Sequence, residues 1–116
     1  MADTLSTKDA LFLGKDENVQ STYSRLLEVL HGLGPFREEP KKTSIHLVRT
    51  VGFAGVHPRK SYLMLNLRTD YPLDNPRIAK SEQVSKNRFH NEVKLTSPSD
   101  IDEELLVWLK DAYTLG

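Results

Sequence analysis

Histidine and basic side chains are concentrated in the middle of the chain, and such side chains bind anions. Residues 41–94 contain 11 of the 16 Lys and Arg residues but only 4 of the 16 Asp and Glu residues. The flanking segments carry the acidic excess, so the net charge of the whole chain is zero. Guanidinium, ammonium and imidazolium groups all donate hydrogen bonds to phosphate and carboxylate oxygens. The charge distribution therefore favours an anionic small molecule or an acidic protein partner for the middle segment.

The predicted ligand-binding residues come from this segment and from the polar residues between its apolar positions. They are Lys42, Ser44, His46, His57, Arg59, Lys60, Tyr62, Arg77, Arg88 and His90. Nucleic acid is an alternative ligand, because basic groups contact phosphates and rings such as Tyr62 stack on bases. The sequence pI of about 6.9 does not favour it.

The histidines do not have the spacing of a metal site. His31, His46, His57 and His90 are the four in the chain, and no pair is two or four residues apart. The chain has no cysteine, which excludes thiolate ligands and disulfides. The sequence predicts neither a metal site nor a cofactor.

Two short patterns are compatible with hydrolysis. Ser44 and His46 are two residues apart, but no Gly-x-Ser-x-Gly elbow is present. Glu92 and Lys94 flank Val93, and the carboxylate and ammonium of such a pair lie on one strand face, as in metal-dependent nucleases. A metal-dependent hydrolase using Glu92, Lys94 and a nearby histidine is therefore the alternative from a different functional class.

Length and hydropathy indicate one domain. A chain of 116 residues can bury its own core without disulfides. It has no apolar run of about 20 residues, the length that a membrane span requires. The polar, acidic N-terminal residues lack the features of a signal peptide. We expect a soluble, bacterial-type cytoplasmic protein that does not contact a membrane.

Two segments have the apolar spacing of amphipathic helices. The first begins at Asp16 and ends near Gly32. The second is predicted to begin at Ser97, with Pro98 in the first position and Asp100 at the capping-box spacing. The buried positions are predicted to be Val19, Tyr23, Leu26, Leu27, Leu30 and Leu33, and then Ile101, Leu105, Trp108, Leu109 and Ala112.

Strand patterns fill the middle of the chain. Residues 42–67 predict three strands, with a glycine bulge at residues 52–55 and a turn at residues 57–60. Residues 36–40 are predicted to be a connector, and residues 77–86 a short strand or a helix. The predicted core faces are Ile45, Leu47 and Val51; Leu63, Leu65 and Leu67; and Phe89, Val93 and Leu95. The opposite faces carry Ser44, His46, Val48 and Thr50; Tyr62, Met64, Asn66 and Arg68; and Arg88, His90, Glu92 and Lys94.

These elements predict an α+β fold, a two-layer sandwich. A mainly antiparallel sheet of four to five strands is covered on one face by an N-terminal and a C-terminal helix. Residues 1–15 are predicted to be an N-terminal arm, anchored by Leu11, Phe12 and Leu13. Residues 16–116 form the single domain.

Five stretches resemble an uncharacterised bacterial family, the domain of unknown function 5655. They are Lys-Thr-Ser-Ile-His-Leu (42–47), Phe-Ala-Gly-Val-His-Pro-Arg-Lys-Ser-Tyr-Leu (53–63), Pro-Arg-Ile-Ala-Lys-Ser-Glu-Gln-Val-Ser (76–85), Arg-Phe-His-Asn-Glu-Val-Lys-Leu (88–95), and Asp-Ile-Asp-Glu-Glu-Leu with the following Trp-Leu-Lys-Asp-Ala-Tyr (100–113). The resemblance covers about residues 20–115. Some members carry the label of predicted transport protein, and the resemblance implies no established activity. The order of elements is also similar to small frataxin-like domains, by architecture alone.

The hypothesis from sequence is a binding or interaction module rather than an enzyme. Its basic sheet face is predicted to bind an anionic ligand or an acidic partner. A homodimer formed through an exposed strand edge or the open sheet face is a further alternative.

Overall fold

The computed structural model describes residues 7–116. Residues 1–6 of the predicted arm lie outside the described residues. The elements, in chain order, are α1 (Thr7–Phe12), α2 (Glu17–His31), β1 (Arg37–Pro40), β2 (Ile45–Val48), β3 (Gly52–Pro58), β4 (Leu63–Thr69), β5 (Ile78–Ser85), β6 (Arg88–Leu95), a 3-10 turn (Pro98–Asp100) and α3 (Glu103–Leu115).

The six strands form one antiparallel sheet in the order β1-β2-β3-β4-β6-β5. The α+β class is confirmed, but the predicted number of four to five strands is wrong. The additional strand is β1, which the sequence analysis assigned to a connector. Its Glu38, Glu39 and Pro40 all have low strand propensity, yet the segment pairs with β2 at the edge of the sheet, where proline is tolerated. Residues 78–85 form a strand, not a helix, at the opposite edge.

One face of the sheet and the apolar stripes of α2 and α3 form a single core. Leu63, Leu65 and Leu67 of β4 lie in its centre with no exposed surface. The predicted helix stripes are confirmed except for Leu27 and Leu33, which are only partly buried. The fully or almost fully buried stripe residues are Val19, Tyr23, Leu26, Leu30, Ile101, Leu105, Trp108, Leu109 and Ala112.

The alternation predicted for the first strand fails after Leu47. Val48 is buried and Val51 is 46% exposed, the reverse of the prediction. The β2–β3 register shifts between Leu47 and Val48, where Phe53 is an extra residue on β3. Strand β2 ends at Val48, so its alternation does not continue to Val51. The predicted turn at residues 57–60 is also displaced. Pro58 is the last residue of β3, and the turn is closed by the Arg59 N–H, which donates to the Tyr62 carbonyl at 2.8 Å.

The last helix begins five residues later than predicted. Ser97 makes no side-chain cap, and residues 98–100 form a single 3-10 turn that Ile101 interrupts. The N-cap is Asp102, whose carboxylate accepts from the Leu105 N–H at 3.0 Å. Asp100 instead accepts from the Thr96 N–H at 2.7 Å.

Helix α1 packs onto the domain through apolar and charged contacts. Leu11 and Phe12 are buried, as their predicted anchoring role requires, whereas Leu13 is 68% exposed. The Lys8 ammonium lies 2.8 Å from a Glu38 carboxylate oxygen, and the Tyr23 hydroxyl donates to the same oxygen at 2.6 Å. Glu38 therefore connects α1, α2 and β1. No helix within residues 7–116 is long and apolar enough to cross a lipid bilayer.

Replacing Glu38 is expected to change stability in acid. Burial alone would raise the pKa of Glu38, but the hydrogen bonds from Lys8 and Tyr23 lower it overall below its usual 4.5. A carboxylate whose pKa is lowered by folding stabilises the protein above its unfolded pKa, and this contribution is lost as the pH falls through the folded pKa. Glu38→Gln should reduce the free energy of unfolding at neutral pH by about 1 kcal/mol and flatten its decline below about pH 5.

Urea unfolding at a series of pH values measures this effect. Glu39→Gln is the matched control, because Glu39 pairs only with exposed basic side chains on the same edge. If the free energy of unfolding of Glu38→Gln declines in acid as steeply as that of the parent protein, the stabilising role assigned to Glu38 is contradicted.

Candidate functional site

The second face of the sheet, which we call the open face, carries polar side chains. Strand register places His46, Gly55, Asn66 and Glu92 side by side across β2, β3, β4 and β6. These positions alternate along each strand with the buried core residues. The alternation that buries the leucines of β4 therefore also determines which polar groups meet on the open face.

Two further rows flank this one. Arg68 of β4 lies opposite His90 of β6. On the other side, His57 lies opposite Met64, which lies opposite Lys94. Three adjacent rows thus place histidines from three strands and one arginine on the same face of the sheet.

These rows surround a depression of about 270 Å³ in the open face. We call it the basic depression. Gly55 forms part of its lining between His46 and Asn66 and contributes no side chain. A Cβ at Gly55 would meet the His46 ring and the Ile45 carbonyl at 3.9 Å, which is ordinary van der Waals contact. Packing therefore does not require glycine here, and a larger residue would fill the depression. The polar lining side chains are His46, His57, Asn66, Arg68, Arg88 and His90.

The Arg68 guanidinium has an unusual environment. Within residues 7–116, its Nε is a buried side-chain nitrogen without a hydrogen-bond partner. Leaving a buried donor unpaired costs about 1–3 kcal/mol, and more when the group is charged. An anionic oxygen in the depression could accept from this donor once the Arg68 side chain turns its Nε, which is closed to solvent, towards the depression.

The Arg88 side chain is oriented by a histidine. Its Nε donates to His90 Nε2 at 3.2 Å. Burial, and then the charges of Arg88 and Arg68, lower the pKa of His90, although Glu82 acts in the opposite direction. His90 is therefore neutral at pH 7, and the permanent positive charges of the depression are the two guanidinium groups.

His57 is in a similar electrostatic environment. Burial is the largest cause that lowers the pKa of His57, followed by the Arg59 charge. His46 also lowers this pKa, whereas Glu92 raises it. The balance keeps His57 neutral at pH 7 and makes it ready to gain a proton if negative charge is added nearby.

The structure brings together four of the predicted ligand-binding residues: His46, His57, Arg88 and His90. It also adds Asn66 and Arg68, which the sequence analysis placed on the open face of their strand but did not select. The alternation of β4 with its leucines was the pattern that could have found them. This pattern does not reveal that β4 pairs with β6, and it is this pairing that places Arg68 beside His90.

The other six predicted residues are not part of the lining. The Lys60 ammonium lies 3.3 Å from Asp16 and donates to the Gly14 carbonyl. Lys42 is exposed in the loop before β2. Arg59 is exposed in the turn after β3, and its charge acts on His57. Tyr62 and Ser44 lie outside the lining as well.

The contact between Tyr62 and Lys94 and the burial of Ser44 concern residues of the predicted hydrolase. The Lys94 ammonium lies 4.6 Å from the centre of the Tyr62 ring. Ser44 is only 6% exposed. Within the described residues, no group of three or more His, Asp or Glu side chains is placed to hold a metal ion.

Arg77 lies away from the depression and joins β5 to α3. Its guanidinium donates to Asp102 at 2.9 Å, to Glu104 at 3.1 Å and to the Asp100 carbonyl at 2.7 Å. It also lies 5.8 Å from the centre of the Trp108 ring. We therefore remove Arg77 from the candidate site and assign it a role in stability.

The match to a family model extends over almost the whole chain. The model of a domain of unknown function, DUF5655, matches residues 8–116. The chain belongs to this family. The predicted resemblance is confirmed, and the match to DUF5655 also includes most of α1. Neither the curated proteins nor the solved structures contain a match to the chain. The DUF5655 domain thus includes every residue of the basic depression.

Replacing Arg77 in this DUF5655 domain is expected to affect stability and not the depression. Arg77→Met removes the hydrogen bonds to the start of α3 and should lower the free energy of unfolding by about 1–2 kcal/mol. Lys80→Met is the matched control three residues further along, because within residues 7–116 Lys80 makes only an exposed ion pair with Glu82 at 3.7 Å. Its effect should stay below about 0.5 kcal/mol. Urea unfolding of the two variants tests this prediction. Equal free energies of unfolding for Arg77→Met and Lys80→Met would contradict the role assigned to Arg77.

Proposed function

We propose that this domain is a binding module whose basic depression takes up the anionic group of a small ligand or of an acidic partner. The observation that carries the proposal is Arg68 of the lining, whose buried Nε has no hydrogen-bond partner within residues 7–116. Arg88 adds a second guanidinium, and three histidines and Asn66 add further hydrogen-bonding groups. A cytoplasmic location is part of the proposal and rests on the sequence alone.

The energetics support an anion over a neutral ligand. Hydrogen bonds in which one partner is charged contribute about 1.5–3 kcal/mol, roughly twice as much as neutral ones. The partial burial of Arg68 reduces the screening of its charge by water and salt. An anion placed between Arg68 and Arg88 therefore gains from both charges and satisfies the Arg68 Nε.

The size of the depression limits what enters it. Its volume of about 270 Å³ lies at the lower end of small-molecule sites, which span about 300–1,000 Å³. It is open to one side of the sheet, so a larger molecule could place only its anionic end there. The ligand is therefore a small anion or an anionic group at an accessible end of a larger molecule.

Calorimetric titration with inorganic phosphate and with acetate at low ionic strength tests the proposal. At least one of the two anions should bind, and Arg68→Met should weaken that binding by about tenfold or more, because a charged hydrogen-bond donor is lost. Gly55→Leu should weaken it as well, because the new side chain fills the depression without backbone strain.

The matched control is Arg25→Met. Arg25 is an exposed arginine on α2 that pairs with Glu28, so its replacement removes the same charge from the opposite side of the domain. This variant should bind as the parent does. Failure of both anions to bind, or equal losses in Arg68→Met and Arg25→Met, would contradict the proposal.

Nucleic acid remains the alternative ligand and is less well supported. Its bases need exposed rings for stacking, and the one phenylalanine in the lining, Phe53, is fully buried. Titration with a single-stranded oligonucleotide at two salt concentrations separates the two ligands. Tight, strongly salt-dependent binding that Arg68→Met weakens would favour nucleic acid.

The homodimer is not favoured by the strand at the sheet edge. Strand β5 is exposed along nearly its whole length and carries Lys80 and Glu82, and its pairing with β6 shifts register twice. Charged side chains and bulges are features that oppose edge-to-edge pairing. The dimer stays a prediction that sedimentation can test.

A further inference from the structure

The hydrogen bond between Arg88 and His90 fixes a protonation state. Arg88 Nε is a donor at every accessible pH, so His90 Nε2 accepts and carries no proton. The proton of this neutral imidazole is therefore on Nδ1. If His90 gains a second proton, Nε2 becomes a donor and the hydrogen bond from Arg88 is lost. Both groups are then free to donate to a third partner.

We infer that the basic depression binds a tetrahedral anion with two negative charges, of the phosphate or sulfate type, and that its histidines take up a proton from solvent as the anion binds. This inference rests on the proposed function, and it names the class of the ligand and its dependence on pH.

The number of donors favours a tetrahedral anion. Arg68 and Arg88 each carry several guanidinium N–H groups, and imidazoles come from β2, β3 and β6. A planar carboxylate has two oxygens in one plane, so it accepts from fewer directions than a tetrahedral oxyanion does. A tetrahedral oxyanion has up to four oxygens that point in different directions, so it can accept from donors of several strands at once.

The charges around His90 come from all strands that pack against it. Arg88 is on the same strand, Arg68 is on β4 and Glu82 is on β5. In the free protein, burial and then the two cations outweigh the effect of the carboxylate on the pKa of His90 and keep it neutral. A dianion bound beside these cations reverses the balance and favours the protonated imidazole.

His57 responds in the same direction. The charged and titratable groups around it are His46 on β2, Arg59 in the following turn and Glu92 on β6, and its β4 neighbour Met64 carries no charge. The added negative charge of the anion raises the pKa of both histidines relative to the free protein. A histidine that binds its proton more tightly in the anion complex than in the free protein makes the anion bind more strongly as the pH falls. The affinity for the anion must therefore increase from pH 8 towards pH 6.

Calorimetry with sulfate tests this inference, because sulfate keeps two negative charges throughout this pH range. The affinity should rise by about tenfold or more between about pH 8 and pH 6, since each proton taken up contributes up to tenfold per pH unit. Titrations in two buffers with different ionisation enthalpies should show net proton uptake. Acetate should bind more weakly than sulfate at the lower pH.

Histidine variants identify the groups that take up the proton. His90→Gln and His57→Gln should each reduce both the pH dependence and the proton uptake. His31→Gln is the control, because His31 lies on α2 and packs on Phe36, away from the depression. Should a variant not fold, NMR titration of the imidazole rings in the parent protein gives the same information: the pKa of His57 or His90 should rise when sulfate is added.

The outcomes separate the two proposals. Sulfate binding of equal strength at both pH values, or acetate binding as tight as that of sulfate, overturns the inference and leaves the proposed function standing. Absence of binding by phosphate, acetate and sulfate at both pH values overturns the proposed function itself.

Discussion

Side chains alternate between the two faces along β4, and this constraint determines both the core and the candidate site. Leu63, Leu65 and Leu67 are fully buried under the helices. The residues that alternate with them, Asn66 and Arg68 among them, must then lie on the open face. A shift of the strand by one residue would place the arginine in the core and a leucine in the depression. Folding and the proposed binding thus depend on the same register.

A buried polar network holds that register. Asn91 of β6 is fully buried. Its side-chain amide donates to Thr69 Oγ1 at 2.9 Å and to the Leu67 carbonyl at 3.2 Å. Its side-chain oxygen accepts from the Ser81 hydroxyl of β5 at 2.7 Å. Buried amides that lose such partners destabilise a protein by about 1–3 kcal/mol each. Any other alignment of β4, β5 and β6 would break these bonds. The network therefore fixes the position of His90 beside Arg68.

Local patterns were sufficient for most helices and strands but not for their pairing. The apolar spacing predicted α2, α3, the faces of β4 and the buried Val93 and Leu95 of β6, because burial dictates that spacing. Phe89, predicted on the same core face of β6, is only partly buried. It did not predict β1, whose Glu38 is stabilised by Lys8 and Tyr23 from distant parts of the chain. Tertiary contacts there override low strand propensity.

The candidate site was predictable only in part for the same reason. Selecting basic residues by composition found His46, His57, Arg88 and His90, and it also selected Arg77. The partners of Arg77, Asp102 and Glu104, are about 25 residues away along the chain, so its role in stability depends on a contact that no local pattern reveals. Arg68 was passed over because nothing in β4 itself distinguishes it. That its Nε has no hydrogen-bond partner within residues 7–116 is visible only when the sheet is assembled.

The central claim is that the open face of the sheet carries an anion site, and an NMR map of the parent protein tests it most directly. Backbone amide signals are followed while sulfate is added at about pH 6, where the imidazoles begin to gain protons. The account predicts saturable shifts centred on His46, Gly55, Asn66, Arg68 and His90, with small changes on α2 and α3. Shifts that do not saturate, or that centre on Arg77 and the start of α3, would contradict it.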